Sequence, residues 1–330
     1  MEFVHKEYIT ILGKKIKAGE SCELNFGVAN LHTTSSIDVP VFVERSKKPG
    51  PVVLFTAGIH GDEVNGVEIV RQLIAKGINK PKRGTIICMP IINVFGFINL
   101  KREFPDGRDL NRVFPGIKKG SLASRVAFEL VTEIVTEVDF ILDFHTGGAG
   151  RFNAPQIRIA KNNPELDQLA KIFGAPFVLY SKHLKKSFRN TCFKLGKTML
   201  LFEGGKSFHI DNNVTNTAVN GAKRILHHFG MLQTKFKVTA PKKVTAPKKE
   251  SLFITGGKWQ RANYSGMFKA SAIISTKVTK GDIIGNITDP YGQFNHFVKA
   301  NHTGYIINVN ESPIVYQGDA LFHITTKLKK

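Results

Sequence analysis

Residues 51–63 read PVVLFTAGIHGDE and give the clearest indication of the fold class of this chain. The run begins with apolar residues, as in a strand that is covered on both faces. His60 and Glu63 follow it, and VNGVEIVRQLIAKG (64–77) then repeats apolar residues at helical spacing until Gly77. A buried strand, a polar turn and a helix form the unit of an open α/β sheet, which binds ligands beyond the carboxyl ends of its strands.

The same alternation continues along the chain. Further strands are predicted at 84–92, 139–144 and 197–203, and further helices at 124–138, 165–174 and 216–230. Residues 251–330 contain only short β-rich segments broken by Gly, Asp and Asn. The predicted class is therefore α/β, with a mixed, largely parallel sheet flanked by helices and a small C-terminal all-β lobe.

A repeat marks the expected boundary between these parts. The hexamer VTAPKK occurs twice, at 238–243 and 244–249. Pro, Ala and Lys without aromatic residues cannot pack a core, and the like charges repel one another. We expect a catalytic domain over 1–234, a Lys/Pro-rich linker over 235–250 and a β lobe over 251–330. The alternative is that the basic segment tethers the protein to an acidic surface.

Composition limits the class of protein. Hydrophobic residues make up 42% of the 330 residues, which is enough for a sizeable core, and no apolar run is long enough to span a membrane. The N-terminus MEFVHKEYIT does not resemble a secretion signal. The three cysteines, Cys22, Cys88 and Cys192, fit neither a disulfide framework nor a cysteine zinc site. A cytoplasmic location is the expectation.

The net charge of +21 favours anionic partners. Much of the excess lies in the linker and at 327–330, and no nucleic-acid-binding module is recognisable, so specific nucleic-acid binding is not expected. A positive cleft that attracts an anionic substrate fits the charge, and so does an ordinary solvated basic surface. The sequence leaves open whether the protein forms a homo-oligomer.

Polar residues follow three of the predicted strands. His60 and Glu63 follow the first, His145 follows DFILDF, and Glu203 follows KTMLLF. If these strands are parallel neighbours, the four side chains meet at one edge of the sheet. Two histidines and one carboxylate are a frequent ligand set of catalytic zinc, with a fourth position open for water. Glu203 would then be free to act as the general base.

Each of these signals also has an ordinary explanation. An isolated HxxE is common at helix starts, and a histidine after a strand is often a hydrogen-bonded structural residue. Asp143 could support a zinc-bound histidine or serve the fold alone. The loop NLKREFPDGRDLNRVFPG (99–116) offers Arg102, Arg108, Asn111 and Arg112 for carboxylate or oxyanion binding, or it is a solvated basic loop.

Taken together, the motifs resemble one family. GIHGDE, PIINVFGF, DGRDLNRVFPG, DFHTGG and FEGG stand in the order found in the succinylglutamate desuccinylase/aspartoacylase family, over most of residues 40–230. That family is zinc carboxypeptidase-like, and KGDIIGNITDPYG with GDALFHI resembles the β lobe of many members. The lobe is also similar to biotinyl or lipoyl carriers, but only Lys269 approaches a modifiable lysine, so a carrier role is not expected.

The resemblance implies roles for individual residues. It implies one Zn²⁺ per chain, bound by His60, Glu63 and His145, with Glu203 as the general base. It further implies that Arg102 polarises the scissile carbonyl. Three more residues match positions that contact the substrate, namely Asn111, Arg112 and Arg158.

The implied activity is hydrolysis of the amide bond of a small, anionic N-acyl amino acid or related carboxylate-bearing amide, by a zinc-dependent deacylase that activates water. A zinc carboxypeptidase or amidase acting on peptides is the first alternative. The second alternative is a non-catalytic, metal-stabilised binding module.

Overall fold

The computed structural model describes residues 6–30, 32–238 and 251–329. The strands are β1 Tyr8–Ile11, β2 Lys14–Lys17, β3 Ser21–Asn30, β4 Ser36–Arg45, β5 Val52–Ala57, β6 Thr85–Met89, β7 Phe140–Gly147, β8 Arg151–Ile159, β9 Phe177–Tyr180, β10 Thr198–Lys206, β11 Leu252–Arg261, β12 Gly266–Ala270, β13 Lys277–Val278, β14 Ile283–Thr288, β15 Asn295–Lys299, β16 Gly304–Asn310, β17 Ile314–Val315 and β18 Ala320–Leu328.

The α-helices are α1 Val64–Ala75, α2 Val94–Asn99, α3 Leu122–Glu133, α4 Pro164–Phe173, α5 Phe188–Lys194 and α6 Asn212–His228. Two short 3₁₀ helices span Leu110–Arg112 and Val135–Glu137. Within the described ranges, none of the helices has both the length and the apolar character needed to cross a membrane.

The large sheet has the strand order β13-β16-β18-β11-β9-β8-β10-β7-β5-β6-β4-β3. The α/β class is confirmed, but the expectation of a largely parallel sheet is wrong. Of the twelve pairings in the described part of this sheet, five are parallel and seven are antiparallel. An apolar run shows that a strand is buried on both faces but says nothing about the direction of its neighbours, and β6 pairs parallel with β5 and antiparallel with β4.

The central strands are covered on both faces, as their apolar sequences predict. Along β5, Val53 and Phe55 belong to one hydrophobic cluster, whereas Val52 and Leu54 belong to another. Helices α1, α4 and α6 contribute to the first cluster, and helix α3 with the β1–β2 hairpin contributes to the second. Because side chains alternate along a strand, each face of β5 meets its own apolar layer.

Strands on either side of residues 239–250 close into a ring. Strand β8 pairs with β9, β9 with β11, β11 with β18, β18 with β16, and β16 with β8 again. Its interior holds one compact apolar cluster, made of Ala154, Phe177, Ile254, Tyr305 and Ile307. The C-terminal strands are therefore hydrogen-bonded into the main sheet.

The rest of the C-terminal lobe is a four-stranded sheet in the order β15-β14-β12-β17, and no helix occurs between residues 251 and 329. The predicted linker, residues 235–250, lies outside the described residues from 239 onwards, so the proposed division into two domains stays a prediction.

Candidate functional site

The sheet brings the predicted polar residues to one edge. Strands β5, β7 and β10 are parallel neighbours, and Glu203 on β10 is the register partner of His145 on β7. After β5, Gly58 adopts a φ of +63°, which favours glycine and turns the chain towards His60. The condition set by the sequence, that these strands lie side by side and in parallel, is met.

His60, Glu63 and His145 form a compact buried group. Oε1 of Glu63 lies 2.7 Å from Nδ1 of His60, and Oε2 lies 2.9 Å from Nδ1 of His145. One ligand atom from each residue lies within 4.8 Å of the others. The three side chains are 3–4% exposed, so this cluster of nitrogen and oxygen donors is shielded from bulk water. The donor set fits a catalytic zinc ion.

A carboxylate fixes the outer nitrogen of each histidine. Nε2 of His60 lies 3.1 Å from Asp109, and Nε2 of His145 lies 2.8 Å from Asp143. The other oxygen of Asp143 accepts a hydrogen bond from the Thr56 hydroxyl at 2.8 Å. Carboxylate partners of this kind orient metal-binding histidines and fix which ring nitrogen faces the ion. Both Nδ1 atoms are thereby turned towards Glu63.

The electrostatics of the cluster favour positive charge at its centre. Burial opposes protonation of His145, but Asp143 and Glu63 outweigh burial and raise the pKa of His145 well above its usual range. Burial is also outweighed at His60, where Glu63 and Asp109 raise the pKa of the imidazole. The two imidazoles in turn overcome burial and lower the pKa of Glu63 well below its usual range. Three carboxylates around two imidazoles form a pocket suited to a cation.

Arg102 lies at the rim of this cluster. Its Nη1 donates to Glu63 at 3.3 Å, and its Nε and Nη2 donate to Asp109 at 3.1 and 3.0 Å. The Arg102 side chain is 31% exposed and lines the cleft. Burial would raise the pKa of Asp109, but its contacts with His60 and Arg102 lower it far below the usual range. Arg102 is therefore held in place by ion pairs, next to the candidate metal site.

The loop before α3 places Asn111 and Arg112 on the same cleft. Oδ1 of Asn111 accepts from the backbone N–H of Phe188, which begins α5, at 2.8 Å. Arg112 is exposed and donates to the carbonyl oxygen of Asn111 at 2.7 Å. Arg108 points elsewhere and lies 3.7 Å from Asp106 on the surface. The loop is thus neither uniformly solvated nor wholly directed at the site.

Glu203 faces the cleft and is held by two donors. Nδ2 of Asn153 donates to its Oε2 at 2.8 Å, and Nη1 of Arg158 lies 3.3 Å from its Oε1. The Glu203 side chain is 12% exposed, so it remains in contact with the cleft. Its carboxylate is separate from the group formed by His60, Glu63 and His145 and is available for proton transfer.

These residues line one cleft of about 260 Å³. The lining includes five arginines, namely Arg102, Arg112, Arg151, Arg158 and Arg189. Burial, and then the neighbouring Arg158, lower the pKa of Arg189 to about 10. Trp259 and Asn308 reach the cleft from the C-terminal lobe. A small cleft with this many guanidinium groups suits a ligand with one or more carboxylates.

Comparison with known proteins identifies the family of this chain. The sequence model of the Succinylglutamate desuccinylase/Aspartoacylase catalytic domain matches residues 49–229. This chain belongs to the succinylglutamate desuccinylase/aspartoacylase family. All eight predicted site residues lie inside the matched range, whereas Trp259 and Asn308 lie beyond it.

Individual members of the succinylglutamate desuccinylase/aspartoacylase family show how far the likeness extends. N-alpha-acetyl-L-2,4-diaminobutyric acid deacetylase of Halomonas elongata is 24% identical over 266 residues, covering 77% of this chain and 75% of the relative. A succinylglutamate desuccinylase/aspartoacylase structure from Rhodobacter sphaeroides has a TM-score of 0.80 at 21% identity and covers 93% of this chain and 95% of its own.

The product-bound ectoine utilization protein EutE (DoeB) of Ruegeria pomeroyi also has a TM-score of 0.80, at 20% identity, covering 98% of this chain and all of its own, 100%. The shared fold therefore includes the C-terminal lobe.

The cleft contains every predicted site residue and several that the sequence did not indicate. Those predicted are His60, Glu63, Arg102, Asn111, Arg112, His145, Arg158 and Glu203. Those missed are Arg151, Asn153, Arg189, Trp259 and Asn308, and Asp109, which contacts His60, was missed as well. Asp109 stood within the quoted DGRDLNR motif and could have been found from its position between Arg102 and Asn111. The roles of all these residues stay proposals.

Proposed function

We propose that this protein is a zinc-dependent deacylase that hydrolyses the amide bond of a small N-acyl amino acid or a related amide that bears a carboxylate. The support comes from one feature above all. His60 and Glu63 from one turn converge with His145 from a separate strand, and a carboxylate holds the outer nitrogen of each imidazole. Purely structural histidines do not need this matched pair of supports.

A zinc ion bound by His60, Glu63 and His145 would supply Lewis acidity and lower the pKa of a water molecule towards about 7. Glu203 takes a proton from the attacking water and delivers it to the nitrogen of the leaving amine. Arg102 donates hydrogen bonds to the carbonyl oxygen as negative charge develops there. The products are a carboxylate and a free amine.

Three further cleft residues bind the substrate in this proposal. Asn111 and Arg112 bind the carboxylate of the amino acid, and Arg158 makes a further contact with the substrate. The relative from Halomonas elongata is named for removing an acetyl group from an amino acid, which supports amide hydrolysis of a small molecule here. The basic lining supports an anionic substrate.

Metal analysis tests the centre of the proposal. Purified protein is loaded with zinc, dialysed and analysed for bound metal. We expect about one zinc per chain in the parent protein, and little in the variant His60→Ala. The matched control is His32→Ala, which removes an exposed histidine and should keep the parent zinc content. Equal zinc in the parent and in His60→Ala would contradict the proposal.

A substrate panel tests the reaction. Zinc-loaded protein is offered N-acetyl, N-succinyl and longer N-acyl amino acids beside short peptides, and free amine is measured. Release of amine from at least one N-acyl amino acid, dependent on zinc, is the expected result. Hydrolysis restricted to peptides would instead assign a peptidase, and no hydrolysis of either class would contradict an enzymatic role.

A further inference from the structure

A chain of buried amides connects the C-terminal lobe to Glu203. Nδ2 of Asn308 donates to Oδ1 of Asn153 at 2.7 Å, and Nδ2 of Asn153 donates to Oε2 of Glu203 at 2.8 Å. Asn308 and Asn153 are each 4% exposed. Both hydrogen bonds are short, and the one between the two asparagines is also buried, so it constrains geometry more than a surface contact does.

The chemistry of the carboxylate fixes the direction of this chain. An ionised carboxylate only accepts hydrogen bonds, so Asn153 must present its NH₂ group to Glu203. The carbonyl of Asn153 then faces Asn308, which must donate in turn. The orientation of both amides therefore follows from Glu203, although Asn308 belongs to a strand more than 100 residues away.

In this orientation the Asn308 amide has one of its own polar atoms unpaired. Its Oδ1 is buried and has no donor among the described residues. A buried acceptor without a partner is unfavourable and calls for an explanation in a native structure. The Asn153–Glu203 pair supplies one, because turning the Asn308 amide over would place its Oδ1 against Oδ1 of Asn153, and two acceptors cannot bond each other.

The closed ring gives this arrangement its rigidity. Asn308 on β16 and Asn153 on β8 are register partners, and β8 also pairs with β10, which carries Glu203. On its other side, Glu203 is held by Arg158, also from β8. Two donors from one strand thus fix both oxygens of the carboxylate, and Asn308 fixes one of those donors.

We propose that Asn308, contributed by the C-terminal lobe, is a positioning residue that orients the Glu203 carboxylate through Asn153. The inference rests on the proposed function, in which Glu203 transfers the proton. Without Asn308 the carbonyl oxygen of Asn153 loses its donor, so the Asn153 amide holds Oε2 of Glu203 less firmly, while Arg158 still holds Oε1. Substrate binding through Arg112 is not affected, so the loss falls on kcat and not on KM.

The test compares two substitutions of Asn308 in the zinc-loaded, full-length protein. Asn308→Ala removes the donor, and Asn308→Leu removes it while keeping a similar volume. We expect each to lower kcat by roughly tenfold or more, with KM within about twofold and zinc content unchanged. The matched control is Asn310→Ala on the same strand, whose side chain is hydrogen-bonded to the backbone of Ala320 and Ser312.

Thermal unfolding separates positioning from a structural role. Asn308→Leu removes the unpaired Oδ1 of Asn308 but leaves Oδ1 of Asn153 without its donor, so one unpaired buried acceptor replaces another and the melting temperature should stay near that of the parent while kcat falls. Asn310→Ala should lower the melting temperature and keep kcat. Parent-like kcat in both Asn308 variants would overturn the inference.

A double-mutant cycle shows whether Asn308 acts through Asn153. Adding Asn308→Ala to Asn153→Ala should lower kcat no further, because the link is already broken. Full additivity of the two effects would overturn the inference. Parent-like activity in Glu203→Gln would refute the proton-transfer role that the proposed function gives to Glu203, whereas an inactive Glu203→Gln with silent Asn308 variants would refute only this inference.

Discussion

The two ends of the central strands each open into a cavity of similar size, but the cavities differ in what lies buried beside them. The cleft at the carboxyl ends has a volume of about 260 Å³, and the cavity at the amino ends of β5, β6 and β7 has about 280 Å³. Both have basic linings. The amino-end cavity is lined by Lys6, Arg45, Lys47 and Lys48, with Glu137 and Asp139 as its acidic residues.

Buried ionisable groups, and not volume or charge, distinguish the two cavities. At the amino end, Lys6 pairs with Glu137 at 2.9 Å, and these side chains are 56% and 28% exposed. At the carboxyl end, His60, Glu63 and His145 are almost fully buried and shift one another's pKa values. Ionisable groups that are buried despite their favourable hydration indicate a functional site more strongly than exposed ion pairs do.

The largest effect is expected at Glu203, the proposed general base. Glu203→Gln should lower kcat by about 10²–10⁴-fold, because the amide cannot accept the proton of the attacking water. Zinc content should stay at the parent level. Steady-state kinetics on the best N-acyl amino acid measure the loss. Glu137→Gln is the amino-end control and should leave kcat unchanged, and parent-like activity in Glu203→Gln would place the base elsewhere.

The next effect is expected from the carboxylates behind the histidines. Asp143→Asn should weaken zinc binding by about 10–100-fold, because the amide holds the His145 ring less firmly and withdraws a negative charge. Competition with a chelator of known affinity measures the change. Asp139→Asn is matched in type but lies at the amino end, where its Oδ2 accepts from Val52 at 2.8 Å. Zinc affinity that falls equally in both variants would contradict the comparison.

A smaller effect concerns pH and the carboxyl-end cleft. Burial, and then the charge of Arg158, lower the pKa of His323 to about 4. The His323 ring stacks on Trp259, with the two ring centroids 4.7 Å apart. Between pH 6.5 and 4 the unfolded chain therefore binds more protons at His323 than the folded protein does. The free energy of unfolding should keep its full contribution from this residue above about pH 6.5 and lose it progressively as the pH falls towards 4. Urea unfolding should show about 1–2 kcal/mol of this loss between pH 7 and 5.

The substitution His323→Phe should remove that part of the pH dependence, and His32→Phe, at an exposed site, should retain it. An unchanged pH profile in His323→Phe would show that the effect arises elsewhere in the molecule.

The smallest effect is expected at the amino end. Lys47→Ala combined with Lys48→Ala removes two exposed charges about 20 Å from the cleft, since a six-residue strand separates the two ends. At 0.15 M salt such charges are screened, so kcat/KM should stay within about twofold of the parent. A severalfold loss that grows as salt is removed would show that this cavity also guides the substrate.

Local pattern predicted the parts of the fold that are locally encoded. The apolar run before Gly58 became β5, and the periodic segment after Glu63 became α1, which ends at Ala75 just before Gly77. The candidate ligands were found because polar residues directly follow buried strands. Strand direction was not predictable, since β6 has one sequence and two neighbours of opposite direction.

Residues that depend on long-range pairing carried no local signal. Asn153 and Asn308 lie 155 positions apart and meet only because β8 and β16 pair across the ring. Nothing in the alternation of either strand marks an asparagine as a partner of Glu203. Trp259 and Arg189 were missed for the same reason, because their place in the cleft depends on how distant segments pack.

The ring also sets an order of events during synthesis. Strand β18 stands between β11 and β16, and it is the last strand of the described chain to leave the ribosome. Until it arrives, β11 and β16 lack their shared neighbour, and Tyr305 and Ile307 have no closed interior to enter. The candidate zinc ligands, the last of which is His145, are therefore synthesised before β11, β16 and β18, the strands that complete the ring and bring Trp259 and Asn308 to the cleft.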